Sequence, residues 1–267
     1  MRDLLEVYWI NGKTAIIGQL QYRMANILWF IQMAAEPVVY LVVWSVIAEA
    51  QGGEVNGYTA ADFAAYFIVW TLVRYFNIAL TPWAFEGRIL RGGLSAELLR
   101  PVHPFHFDLS YFIGWKIPMT VYWLPVGTLL VWVFKPALHP ELWQVFTFLI
   151  ALMTGFMVRF VFLWALGLII FWIKRVNALF QLYFTLELLF SGRLVPMALL
   201  PEWAQQVAAW LPFQWAFAYP IEMLLGKLSV DEVLYGFGAQ LVWIAIGTAA
   251  IKVLWHFGIK RYSAVGA

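Results

Sequence analysis

Apolar residues along this chain fall in long blocks, not in the alternation of half-buried strands or the one-sided stripe of soluble helices. Six such blocks run over 27–47, 63–83, 110–134, 143–173, 176–194 and 234–257. Each approaches or exceeds the ~20 residues with which an α-helix crosses a bilayer. The fourth has length to spare for tilting or for projecting beyond the lipid. Ahead of them, Arg2, Glu6 and Lys13 share one helical face, while Leu5, Trp9, Ile16 and Leu20 supply apolar surface elsewhere. That pattern predicts a helix lying in the membrane interface over 1–23, with Arg23 at its end. The expected fold is an all-α membrane protein, with this interface helix and six transmembrane helices in a single domain over 1–267.

Two connections carry structure of their own. The segment 84–109 is basic and holds a short helical unit, Leu94-Ser95-Ala96-Glu97-Leu98-Leu99-Arg100. Gly92-Gly93 precedes it, Pro101 stops it and Pro104 follows. The segment 194–233 is apolar but broken by Pro196, Pro201, Pro212 and Pro220. Pro201-Glu202-Trp203 opens a helix well, since proline suits the first helical position and an acid suits the positive helix end. The run 204–211 is too short to cross. The segment is therefore read as a re-entrant outer hairpin of two half-helices, a geometry allowed where protein or a water-filled cavity covers the broken backbone.

Composition agrees with a membrane setting. Of 267 residues, 63% are hydrophobic and 12% charged, with mean hydropathy +0.77, against roughly a quarter charged in soluble domains. Six crossings use nearly all of the chain and leave no length for a soluble receptor or ATPase domain. Residues 1–6 mix charges of both signs with apolar residues and lack the pattern of a cleavable signal. The absence of cysteine excludes disulfides, thiol catalysis and thiolate metal sites. A net charge of +2 is too small to argue for nucleic acid.

The placement of the charges says more than their sum. With the N-terminus in the cytoplasm, the inner segments hold Arg2, Lys13, Arg23, Arg88, Arg91, Arg100, Lys174, Arg175, Lys260 and Arg261. Only Lys135, Arg193 and Lys227 fall outside. The positive-inside rule then puts both termini in the cytoplasm.

No catalytic motif is legible. Gly12-Lys13-Thr14 lacks the earlier glycine of a phosphate loop, since that position is Val7, and Gly226-Lys227 is followed by Leu228. The chain is expected to hold no cofactor and no metal. His103 and His106, with Asp108 near, are read as part of a polar inner loop instead of a ligand set. Glu36, Arg74, Arg159 and Glu187 lie inside apolar blocks, where charge is costly. They are either the lining or gate of a translocation path or ion pairs that lock the bundle. Lys116 is expected to snorkel to the cytoplasmic interface. Tyr66, Trp70, Tyr75, Phe76 and Trp83 are read as belt residues in preference to a stacking platform.

Three features together resemble one family: the six blocks, the stretch Gly93-Leu94 to Leu98-Leu99-Arg100-Pro101, and a proline-broken run. That run reads Ser191-Gly192, Pro196, Leu200-Pro201, Trp203, Leu211-Pro212-Phe213, Pro220-Ile221. The chain resembles a membrane (permease) subunit of a type-2 ABC exporter, of the bacterial branch with paired permeases. The resemblance covers essentially the whole chain in architecture. It implies a permease that is not itself an enzyme, sited in the bacterial cytoplasmic membrane among lipid. Separate ATP-binding cassette ATPase subunits would carry ATP and Mg.

The implied contacts with that ATPase are the interface helix and the coupling loop, with Glu86, Arg88, Arg91, Leu94, Glu97, Leu98, Arg100 and Pro101 as candidates. The competing reading of these charges is anchoring to lipid headgroups. Pro201, Trp203, Pro212, Phe213 and Pro220 are candidates for an outer gate. A second permease, a paralogue in preference to an identical copy, would complete the path. The implied activity is export of an amphipathic, lipid-like or drug-like substrate. Alternatives are export of a lipid-linked saccharide or polymer, and an ion-coupled carrier using Glu36 and Glu187. Carriers of that kind often show inverted repeats, and the halves of this chain show none.

Overall fold

A computed structural model describes residues 2–173 and 176–262. Lys174 and Arg175, two of the charges expected on the inner side, lie outside the described residues, as does the side chain of Arg2. The chain opens with α1 (Arg2–Gln21) and α2 (Arg23–Ala50), the latter carrying the first apolar block and Pro37. A small antiparallel hairpin follows, β1 (Glu54–Val55) and β2 (Tyr58–Thr59). Asn56 and Gly57 turn it with positive φ of 48° and 78°, as a tight hairpin turn requires. Then come α3 (Ala60–Phe76), α4 (Thr81–Leu90), α5 (Leu94–Leu98), α6 (Pro104–Phe134), α7 (Leu142–Leu168) and α8 (Asn177–Phe190). The proline-broken segment forms α9 (Glu202–Ala209), α10 (Phe213–Ala216) and α11 (Ala218–Leu224), and α12 (Val230–Gly258) closes the bundle.

Among the described residues, four helical stretches are long and apolar enough to cross a membrane: Ala60–Ile89, Pro104–Phe134, Leu142–Phe171 and Val230–Arg261. They contain all or most of blocks two, three, four and six. The fifth block is shorter than its apolar run suggests. Helix α8 has 14 residues, about 21 Å of rise, against ~30 Å of hydrocarbon. It stops at Ser191-Gly192, where Gly192 takes φ +81° and its carbonyl accepts the buried Tyr66 hydroxyl at 2.8 Å. A Cβ there would sit 2.5 Å from that hydroxyl, so the stop is made by contact with α3 as well as by backbone.

Block two, expected as one helix, is broken. The helix ends at Phe76, residues 77–80 are unwound, and α4 restarts at Thr81 with Pro82 in its first turn. Proline at the second helical position has no N–H to lose and disfavours continuous helix before it. The expected coupling loop 84–109 is also mostly helix. Phe85, Glu86 and Arg88 belong to α4, and α6 begins at Pro104, six residues before the predicted start.

Helix α3 is the centre of the bundle. Phe63, Tyr66, Phe67 and Trp70 on it are buried, packed with α2, α6, α7 and α11. A second core nearer the basic loop gathers Phe85, Phe156, Phe160 and Trp164. Helix α1 is docked along α6. Asn11 Nδ2 donates to Phe107 O (2.6 Å) and Ser110 Oγ (2.8 Å), and Tyr8 Oη meets His106 Nδ1 at 3.0 Å. Gly12 and Gly114 let the two backbones touch, since a Cβ on Gly114 would lie 2.5 Å from Gly12 O. Gly114→Leu is therefore expected to lift α1 off α6. A cysteine placed at Ala15, which is buried, reports it in this cysteine-free chain. Maleimide labelling should be slow with Gly114 and fast in the variant, and equal rates would refute the docking.

Candidate functional site

The charged residues of the apolar blocks converge. Glu36 Oε2 accepts Arg74 Nη1 at 2.7 Å and Arg193 Nη2 at 2.6 Å, while its Oε1 accepts Arg193 Nε at 2.9 Å and Tyr40 Oη at 3.2 Å. Arg159 clamps Glu187 with Nε at 2.8 Å and Nη2 at 3.0 Å. Paired guanidinium–carboxylate forks of this kind keep charge tolerable away from water. Aromatic faces add to the arrangement. Trp70 lies under both Arg74 (5.1 Å) and Arg193 (5.8 Å), and Phe217 under Arg159 (5.6 Å).

The break after α3 explains why a third and fourth cation sit here. Unwinding 77–80 frees carbonyls at the negative end of a helix. Asn77 O accepts Arg159 Nη1 at 2.6 Å, and Ile78 O accepts Lys116 Nζ at 3.0 Å. Lys116 does not snorkel: it is buried, with its ammonium 3.8 Å over the Phe156 ring. Two further carbonyls, freed at the α10–α11 kink, are held by side chains. Asn77 Nδ2 donates to Ala216 O (2.7 Å) and Gln240 Nε2 to Trp215 O (2.8 Å). Side chains thus satisfy four carbonyls at the two breaks, as hydrocarbon surroundings demand of exposed backbone. A cavity of about 170 Å³ opens beside the α3 break, between Arg74, Arg159, Glu187 and Arg193.

At the other end of α4 the loop residues form a braced corner. Arg88 makes a two-pronged contact with the buried Asp108 and a 3.1 Å contact with Glu97. Asp108 also accepts Trp164 Nε1 at 3.0 Å. Leu94 is fully buried, and Ser95 Oγ meets Tyr262 Oη at 2.8 Å. Burial pushes the Glu97 carboxyl up, against the pull of Arg88. His103 caps α6 through Phe105 N (3.2 Å) and packs on Trp255, and burial pushes its imidazole down. Arg91, Leu98, Leu99, Arg100 and Pro101 are exposed, and Glu86 is half-buried.

A family model of ABC-2 family transporter proteins matches residues 34–266. The chain belongs to the ABC-2 transporter family. A search of curated proteins returns no match to it. The family's membrane component is a multi-pass permease and is not itself catalytic.

In this permease the outer-gate candidates separate into two groups. Pro201 and Trp203 stand exposed at the start of α9, while Pro212, Phe213 and Pro220 are buried with α10 and α11 against α7 and α3. Pro201 is the residue before the helix, and Glu202 opens it. The intramembrane candidates Glu36, Arg74, Arg159 and Glu187 are brought together, but with two partners that sequence reasoning placed elsewhere. Arg193 was expected in the outer segment and Lys116 at the interface. The only sequence signals were a polar Asn77 and Pro82 inside an apolar run, which mark the break these cations serve.

One acid of the proline-broken segment stands apart. Burial pushes the Glu222 carboxyl up to about 7, helped by Glu232. Its Oε1 has no partner among the described residues, and Tyr58 and Tyr66 also face it. A folded-state value above the unfolded one means that the native protein binds the extra proton. Stability is then full below about pH 4.5 and is lost as pH rises through about 7, by on the order of 3 kcal/mol. Glu222→Gln should flatten thermal stability between pH 5 and 8 in detergent. An unchanged slope would assign the dependence elsewhere.

Proposed function

We propose that this permease is half of the membrane part of an ATP-driven exporter, moving an amphipathic, lipid-like or drug-like molecule out of the cytoplasm. The observation that carries the reading is the braced inner corner. A five-residue helix, too short to persist alone, is held by Leu94 and Arg88 while Leu98, Leu99 and Arg100 face outward. A rigid projection with an apolar and basic tip suits docking to a partner that must push on the bundle. ATP-binding cassette ATPase subunits, holding ATP and Mg, are that partner, with α1 contributing beside α5. Arg88 then acts as the brace, and Arg91, Leu98, Arg100 and Pro101 as the surface.

The six apolar blocks support six crossings in a bacterial cytoplasmic membrane, with the short α8 as the core of the fifth, and the charge distribution supports both termini inside. In that frame α9–α11 form the outer re-entrant hairpin, and a second permease, a paralogue, faces this one in the lipid. Exposed apolar faces on α6 and α12, including Val121, Leu124, Leu241 and Ile246, are available to that permease and to lipid. An ion-coupled carrier fits less well, because Glu36 and Glu187 are both committed to guanidinium groups. The test is Arg100→Glu, which lies on the exposed tip. ATPase co-purification should fall at least tenfold with the permease itself still folded. Undiminished co-purification would remove the coupling assignment.

A further inference from the structure

The cavity beside the α3 break is asymmetric in charge. Three guanidinium groups, of Arg74, Arg159 and Arg193, meet two carboxylates, of Glu36 and Glu187, so one positive charge is in excess. Lys116 adds a further basic group just behind Ile78, a wall residue. Hydrogen-bonding capacity leans the same way. Glu36 already accepts four hydrogen bonds, while Arg193 spends Nε and Nη2 on it and finds no acceptor for Nη1 among the described residues. Two wall residues, Trp70 and Ser191, are 1% exposed and carry side-chain donors with no partner among the described residues. A buried site rich in donors and in net positive charge is stabilised by an anion.

The remaining walls are apolar. Trp83 is 45% exposed and Leu80 41% exposed, so the cavity reaches the outside of the bundle between them. Trp83 stacks on Phe184 at 5.3 Å and 10°, forming a flat aromatic lip. A volume of about 170 Å³ is below the ~300 Å³ at which drug-sized pockets begin. It suits a headgroup whose tail leaves past Trp83.

We infer that this cavity binds the anionic headgroup, phosphate- or carboxylate-like, of a single-tailed amphiphile. As a statement about the transported substrate this rests on the exporter reading; as a binding site it does not. The test uses the full chain, in whatever complex it purifies with, in phosphatidylcholine nanodiscs with radiolabelled dodecyl phosphate as probe. Binding should be saturable and unaffected by dodecyltrimethylammonium, which has the same tail and the opposite charge.

Arg193→Gln should weaken it at least tenfold and Arg193→Lys much less. Glu36 keeps Arg74 at 2.7 Å in both variants, so no lone carboxylate is stranded. Trp83→Ala, at the exposed lip, should weaken dodecyl phosphate about fivefold without changing any binding of inorganic phosphate. Equal competition by the cationic amphiphile, or full binding by Arg193→Gln and Trp83→Ala, would overturn the site. Competition by inorganic phosphate as strong as by the alkyl phosphate would make it a free-anion site and overturn the amphiphile. Failed binding with ATPase association intact strikes this inference alone. Loss of association by the native chain with binding intact strikes the exporter reading alone.

Discussion

Arg159→Ala is expected to cost about 3–5 kcal/mol of bundle stability and to abolish export. Arg159 holds three acceptors on two elements: both oxygens of Glu187 on α8 and the Asn77 carbonyl at the end of α3. Truncation strands a buried carboxylate, whose side chain is only 5% exposed, and leaves a helix end without its counter-charge. The cost of a stranded charge exceeds that of the whole pair, so the double variant Arg159→Met with Glu187→Leu should recover most of the stability. Export should stay lost in the double variant, because the apolar pair removes the polar wall. Thermal unfolding in detergent reads the first quantity and vesicle efflux the second. Wild-type stability in Arg159→Ala would mean that the pair is locally hydrated and does not lock the bundle. Restored efflux in the apolar double variant would make the pair structural alone.

Arg88→Met has the second large effect, and it is local. The substitution releases Glu97 and leaves Asp108 with Trp164 Nε1 as its remaining hydrogen-bond donor among the described residues. The five-residue α5 then hangs chiefly from the burial of Leu94 and the Ser95–Tyr262 hydrogen bond. Amide exchange over 92–100 should accelerate by a factor of ten or more while exchange in α7 stays slow. Export should fall at least as far. Arg88→Lys should rescue little, since an ammonium cannot reproduce a two-pronged contact and a third bond in fixed geometry. Unchanged exchange over 92–100 would transfer the brace to Leu94 packing.

The two variants also separate the two halves of the mechanism. Arg159→Ala acts on the wall of the cavity and should leave ATPase association standing, whereas Arg88→Met acts on the corner that would meet the ATPase. Arg100→Glu complements them by altering the outer tip while leaving both ion-pair clusters intact.

Much of the architecture is local and was legible along the chain. Apolar blocks of sufficient length make helices wherever the backbone must satisfy itself, so α2, α6, α7 and α12 appear where hydropathy places them. Pro101 and Gly93 bound α5 as expected, because such signals act within four residues; the reciprocal cap of Ser229 and Glu232, which starts α12 four residues before the expected 234, is equally local but was not read. That four charges lie inside apolar blocks was equally plain, and that they pair was one of the two readings left open.

Which charges pair was decided only in three dimensions. Arg193 reaches Glu36 across 157 positions, and Arg159 reaches Asn77 across 82, so no spacing rule connects them. The break at 77–80 is weakly encoded: Asn77 and Pro82 permit it, but the Arg159 and Lys116 donors that make it affordable come from α7 and α6. Lys116 was misplaced for the same reason. A lysine one turn inside an apolar helix reaches outward to water unless the fold offers it a carbonyl, and that carbonyl exists only because another helix is broken. Local sequence determined where most of the helices form and which apolar blocks carry charge. Tertiary packing decided which charges neutralise one another and that one positive charge is left over beside a cavity.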